Sequence, residues 1–132
     1  MSCNSGIYTA MGTPVAIAAN GTVPLGAVVR RYGCALTLNG NGIAVVPAGY
    51  YAVDVNLTVL PTAAGDVTAT LLLDGIAVPG AVATATAAAA GDAVNLNIAA
   101  LIRNACQGVR TLTAVLDTAG TVSNAAVRVL KV

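Results

Sequence analysis

The sequence predicts an all-β fold of about 8–10 antiparallel strands, arranged as a β-sandwich or a jelly roll. Two observations carry this prediction. Apolar and polar residues alternate with period 2 along several segments, which is the pattern of a strand with one buried face. Gly, Asn and Asp, which tolerate positive φ, separate these segments at short and fairly regular intervals.

The clearest strand covers residues 51–59. Five apolar residues there alternate with four smaller or more polar ones, and the apolar set is Tyr51, Val53, Val55, Leu57 and Val59. The same alternation predicts strands over residues 67–73, 94–102, 112–116 and 125–129. Between the second of these strands and the next apolar run, Asp74-Gly75 predicts a two-residue hairpin turn.

Two segments fit a helix as well as a strand. Residues 87–90 are four alanines with high helix propensity, and the apolar residues of 93–105 also share one helical face. We favour a strand over 94–102, because Asn95 and Asn97 are poor residues for a helix interior. A short helix over 93–105 is the alternative.

The chain length of 132 residues suits one domain. We assign residues 13–132 to a single jelly-roll domain and residues 1–12 to an N-terminal arm or a first strand. The first cation is Arg30, so the sequence lacks the basic start of a signal peptide and predicts assembly inside the cell. No segment is apolar over the length that a transmembrane helix needs, so we predict no membrane partner.

The composition argues against catalysis. The chain has no His, and all five acidic residues are Asp, so neither a Ser-His nor a Cys-His pair can form within it. We predict that the protein is not an enzyme and holds no cofactor or metal. The net charge of +1 offers no basic excess for nucleic acid. Cys3, Cys34 and Cys106 are predicted to be free thiols, with a Cys34–Cys106 disulfide as the alternative.

Apolar residues on the polar side of several strands indicate an oligomer. In a lone sandwich these positions meet water, yet here they are Leu72, Leu101, Val115, Leu130 and Val132. Only 8% of the residues are charged, against roughly 25% in an average protein. Both observations predict that part of the surface is covered by other copies of the chain or by a partner.

The segment Gly49-Tyr50-Tyr51-Ala52-Val53-Asp54-Val55 resembles the Gly-x-Tyr-x-aromatic-x-aromatic strand of the C1q/TNF-like jelly-roll superfamily. The run from Asp74 to Gly80, with its Val-Pro-Gly, and the final Lys-Val are similar to the C-terminal domain of collagen-like spore-surface glycoproteins of bacilli. That resemblance covers roughly residues 42–132, without the Gly-x-y stalk. It implies a ten-strand jelly roll, a homotrimer about a threefold axis, and both termini at one end.

These observations predict a non-enzymatic structural protein, a trimeric surface knob. The favoured function is a bacteriophage virion protein, a capsid decoration or head fibre on the virion surface. The alternatives are a bacterial spore-surface or cell-surface trimer and a secreted C1q/TNF-like receptor-binding ligand. The predicted core or trimer-interface anchors are Tyr51, Val53, Val55, Leu72, Leu101, Leu130 and Val132. Ile7 and Tyr8 are the predicted anchors to a larger particle such as a phage capsid or spore surface.

Overall fold

The structure, a computed structural model, describes residues 5–11, 13–33, 36–45, 48–104 and 108–132. These residues form strands, turns and loops, with no helix among them. The strands are β1 (Gly6–Ala10), β2 (Val15–Ile17), β3 (Ala27–Tyr32), β4 (Leu36–Asn39), β5 (Gly42–Val45), β6 (Gly49–Pro61), β7 (Gly65–Leu73), β8 (Ile76–Ala87), β9 (Val94–Asn104), β10 (Arg110–Leu116) and β11 (Gly120–Lys131). The all-β prediction is confirmed, with one strand more than the predicted range.

The strands form two antiparallel sheets. Sheet A has the order β3-β1-β11-β6-β9, and β2 pairs with the early part of β11. Sheet B has the order β4-β5-β10-β7-β8. Strands distant in sequence lie side by side, as β1 and β11 do, because the chain crosses repeatedly between the sheets. This crossing connectivity is that of a jelly-roll sandwich.

The core lies between the two sheets and is built by alternation. Along β6, the odd-numbered residues from Tyr51 to Val59 are buried, while the even-numbered residues face outward. Sheet B contributes Val67, Ala69 and Leu71 from β7 to the same core. Period-2 patterning in the sequence therefore translates directly into one buried face per strand.

The β7–β8 hairpin forms where the sequence predicts it. Asp74 and Gly75 both have positive φ, 53° and 80°, which is the backbone of a type I′ turn. This turn matches the right-handed twist of the flanking strands, so it fixes the register of Leu73 opposite Ile76.

The segment that fits both a helix and a strand is a strand. β9 places Val94, Leu96, Ile98 and Ile102 in the core, with a buried pattern of period 2. The four-alanine segment ends β8 and continues into a bend and a turn. Tertiary packing here prevails over the helix propensity of alanine.

Arg30 and Arg31 lie within β3, which pairs with β1. All three cysteines, Cys3, Cys34 and Cys106, fall outside the described residues.

The first and last described strands meet at one end of the sandwich. The Lys131 N–H donates to the Ser5 carbonyl oxygen over 2.9 Å, and the Val132 N–H donates to the Tyr50 carbonyl oxygen over 3.0 Å. Gly6–Ala10 forms β1 between β3 and β11. Residues 1–12 were predicted to be an arm or a first strand, and their described part belongs largely to a strand of the sandwich.

Candidate interface on the outer face of sheet A

An apolar row crosses the outer face of sheet A. The strand register aligns Tyr32, Gly6, Leu130, Ala52 and Leu101 on five adjacent strands. Leu101 and Tyr32 are exposed, and Leu130 and Ala52 are half-buried. None of these five residues is charged. Exposing their apolar area to water therefore costs free energy that no hydrated charge in the row offsets.

Gly6 allows this row to be continuous. A Cβ at Gly6 would lie 2.6 Å from Cε1 of Tyr32 and 2.8 Å from Cδ2 of Leu130. Both distances are too short for real contacts, so the missing side chain is what lets the Tyr32 ring reach Leu130. Glycine is needed at this position for close packing and not for its backbone conformation, because the φ of Gly6 is not positive.

The next row contains the central ion pair of the face. Arg128 and Asp54 lie opposite each other on β11 and β6, and the Arg128 Nε donates to Asp54 Oδ2 over 3.1 Å. A second bond comes from Arg128 Nη2 to the same oxygen. Both side chains are about half exposed, so the pair contributes no more than about 1 kcal/mol to stability.

A shallow depression of about 370 Å³ lies beside this ion pair. Its walls include Tyr8, Asn56, Asn97 and Ala126, which are small or polar residues on neighbouring strands. Nearer the end of the sheet, the Arg103 guanidinium lies over the Tyr50 ring, 5.8 Å from its centroid.

The predicted interface anchors divide into three groups. Tyr51, Val53 and Val55 are buried in the core between the sheets. Leu101, Leu130 and Val132 face outward from sheet A or its end. Leu72 is half-buried on the outer face of sheet B, where it lies opposite Thr113. The sequence grouped these residues together, but the structure does not bring Leu72 to the face that holds Leu130.

The predicted particle anchors also separate. Ile7 is buried in the core, so it could contact a particle only if the sandwich opened, and its role as an anchor stays a prediction. Tyr8 points to the opposite side of β1 and lies in the row of Arg128 on the outer face of sheet A. Adjacent residues of one strand face opposite sides, which explains the difference.

The described residues contain no grouping of acids that suits catalysis or metal binding. Asp54 pairs with Arg128 on sheet A, whereas Asp66 and Asp74 lie at opposite ends of β7 in sheet B. Over the described ranges, no three residues among Asp, Glu, His and Cys come together as metal ligands do. Within those same ranges there is no helix that could cross a bilayer.

Sequence reasoning missed Tyr32, Gly6 and Ala52 as members of the apolar row. Tyr32 follows two arginines and Gly6 has no side chain, so neither belongs to an alternating pattern. The signal for Ala52 was present, since it occupies a polar-side position of β6 and is apolar. The row becomes visible only when the strand order of sheet A is known.

Comparison with known proteins supports the fold. No family model and no curated protein matches the sequence. The structure of murine APRIL matches with a TM-score of 0.77 and 12% identity, over 98% of this chain and 99% of that chain. The globular domain of zebrafish complement 1qA matches with a TM-score of 0.67 and 7% identity, over 95% and 94%. The PRD1 vertex protein P5 matches with a TM-score of 0.63 and 15% identity, over 100% and 99%.

These likenesses confirm the predicted C1q/TNF-like jelly-roll fold. At identities of 7% to 15%, they establish the fold alone. The finer resemblance to spore-surface glycoproteins stays a prediction.

Proposed function

We propose that this protein is a non-enzymatic structural protein, a homotrimeric knob on the surface of a larger particle. The favoured particle is a bacteriophage virion, and a bacterial spore or cell surface is the alternative. The observation that carries the proposal is the apolar row from Tyr32 to Leu101 across sheet A. An outer face of this kind needs cover, because an antiparallel sheet facing water normally presents polar residues there.

A second copy of the chain offers a suitable cover. Val82 is about half exposed on β8, the edge strand of sheet B. The edge of one copy can pack on the sheet A face of the next, with a side chain entering the depression near Tyr8. Face and edge are different surfaces, so the contact is heterologous, and such contacts form a ring where the rotation between copies closes. The C1q/TNF-like resemblance gives three copies in that ring.

The virion is favoured by one neighbour in particular. PRD1 P5 is a vertex protein, and its match extends over the whole of both chains.

A receptor-binding ligand is the second candidate. Murine APRIL and the Eiger TNF of S. frugiperda match with TM-scores of 0.77 and 0.70. A ligand would be recovered from the medium around producing cells and would be missing from purified particles. A knob would be recovered with the particles.

Mass spectrometry of purified virions and purified spores tests the proposal. The protein should be present in virions in amounts comparable with other structural proteins, and it should resist a wash in high salt together with the capsid. Recovery with spores would favour the alternative particle. If it is recovered only from the particle-free medium, the knob proposal is refuted.

A further inference from the structure

The net charge of the chain is only +1, but the fold places most positive and most negative side chains at opposite ends of the sandwich. We call the end of the sandwich where β6 begins and β11 ends the basic end. It carries four cations and one acid: Arg31, Arg103, Arg110, Lys131 and Asp74. The opposite end, the acidic end, carries Asp66, Asp92 and Asp117 and no cation. The remaining charges, Arg30, Arg128 and Asp54, lie between the two ends.

Most cations at the basic end have no carboxylate partner among the described residues. Arg110 pairs with Asp74, at 3.7 Å between Nη1 and Oδ2. The Arg31 Nε donates to the Leu36 carbonyl oxygen over 2.6 Å, and Arg103 lies over the Tyr50 ring. Both interactions orient the guanidinium groups without neutralising them. Counted over side chains, the basic end therefore has a charge of +3, and the acidic end has −3.

The basic end also exposes large apolar side chains. Ile76, Val109 and Val132 are 71%, 64% and 70% exposed. Ile76 begins β8 and Val109 precedes β10, so both lie at the end of the sandwich and not on a sheet face. At the acidic end, no described large apolar residue reaches half exposure. Cations and exposed apolar groups thus occur together at one end, and exposed apolar area beside polar residues marks interaction sites.

The two ends act independently on a partner. β6 has 13 residues, so the ends are roughly 35–40 Å apart at about 3.3 Å per residue. Screening in physiological salt acts over about 8 Å, so neither end cancels the other. A negatively charged surface attracts the basic end and repels the acidic end. The charge distribution therefore selects an orientation as well as a partner.

We propose that the basic end is a docking surface for an acidic protein surface that also presents apolar side chains. The docking surface belongs to each single chain. It rests on the proposed trimer only where three copies of the surface act together. Three chains related by a threefold axis point the same way, so three basic ends would act together by effective concentration. In a particle-bound knob, the acidic end then faces outward.

The apolar groups decide between an acidic protein and a nucleic acid. Ile76, Val109 and Val132 gain nothing from phosphates, whereas an apolar residue beside a carboxylate would cover them. The Tyr50 ring, which could stack on a base, already carries Arg103 on one face. Three unpaired cations are also few for tracking a phosphate backbone.

The test measures binding of the purified protein to surfaces coated with poly-L-glutamate, with a Glu/Tyr copolymer, or with single-stranded DNA. The basic-end variant carries Arg103→Gln and Lys131→Gln. Its matched control carries Ala88→Asp and Ala90→Asp, which make the same change in net charge in an exposed loop at the acidic end. A third variant, Ile76→Ser with Val109→Ser, removes apolar surface only.

We expect the wild type to prefer the copolymer and to lose binding between about 0.1 M and about 1 M salt. The basic-end variant should bind about tenfold or more weakly, and the control should stay near wild type. The Ile76 and Val109 variant should lose the preference for the copolymer. Equal losses in the basic-end variant and the control would overturn the proposal, as would tighter binding to DNA than to the copolymer.

Light scattering on the same samples separates this proposal from the trimer. If the chain is a monomer and the loss is still specific to the basic end, the docking surface stands and the trimer fails. If the chain is a trimer and both double variants bind equally, the trimer stands and the docking surface fails.

Discussion

Replacing Tyr51 with Ala tests the register of β6, on which the core and the outer face of sheet A both depend. Tyr51 is 0% exposed in the core, while its neighbour Tyr50 is 50% exposed on the outer face. Burying an aromatic side chain removes about 150 Å² or more from water. At about 25 cal/mol per Å², its loss costs about 4 kcal/mol, within the range of about 3–5 kcal/mol for such truncations.

The matched control is Tyr50→Ala, which removes the same ring from the adjacent position. That variant loses the contact with Arg103 and some surface packing, so we expect a cost of about 1 kcal/mol or less. Urea denaturation followed by circular dichroism measures both free energies of unfolding. The proteins must be compared at one chain concentration, because association contributes to apparent stability. If Tyr50→Ala costs more than Tyr51→Ala, the register is wrong by one residue.

Three further perturbations have defined outcomes. Thr9 is fully buried, and its Oγ1 has no hydrogen-bond partner among the described residues. Thr9→Val should therefore raise the free energy of unfolding, measured by urea titration, by about 1 kcal/mol or more. A loss of stability would contradict this. Burial raises the pKa of Tyr51 above its usual value of 10.0, so ionisation of the phenol favours the unfolded chain. The stability that the neutral Tyr51 phenol contributes is complete below pH 10 and falls as pH rises through the raised pKa. Tyr51→Phe should show a weaker loss of stability at alkaline pH, and an unchanged pH dependence would argue against this cause. Gly26 has a φ of 78°, and a Cβ at this position would lie 2.1 Å from the Ala10 carbonyl oxygen. Gly26→Ala should therefore lower the midpoint of thermal unfolding, measured by calorimetry.

Local patterns were sufficient to predict strands within β6, β7, β9, β10 and β11, together with the β7–β8 turn. The alternation around Tyr51 and Val53 identifies which residues of β6 are buried, because a strand has only two sides. Asp74-Gly75 suffices for its turn, since few other residues adopt positive φ at both positions. β9 needed one extra argument, from Asn95 and Asn97, because its apolar residues fit both periods.

The grouping of outer residues could not be predicted from the sequence. Period 2 shows that Leu72 and Leu130 face outward from their strands, but it does not show which sheet each strand joins. The jelly-roll crossings place β7 in sheet B and β11 in sheet A, so the two leucines lie on opposite faces. Charge separation was hidden for the same reason, since the ends gather residues far apart in sequence, such as Arg31 and Lys131.

The low fraction of charged residues has a second explanation besides coverage of the surface by other copies or a partner. The outer face of sheet B carries many threonines, and Thr68 and Thr84 on neighbouring strands hydrogen-bond over 3.0 Å between their hydroxyl groups. Thr70 and Thr113 lie on the same face. Hydroxyl groups hydrate this face without charge. The need for cover therefore concerns the apolar row of sheet A and not the whole surface.

The mass of the protein in solution, measured by light scattering for the wild type and two leucine variants, tests the central claim most directly. Leu130→Asp puts an unpaired charge in the apolar row of sheet A, and Leu72→Asp makes the same change at a half-buried leucine of sheet B. The account predicts the mass of three chains for the wild type and for Leu72→Asp, and dissociation or unfolding for Leu130→Asp. A monomeric wild type, or a trimer that Leu72→Asp disrupts and Leu130→Asp leaves intact, would contradict it.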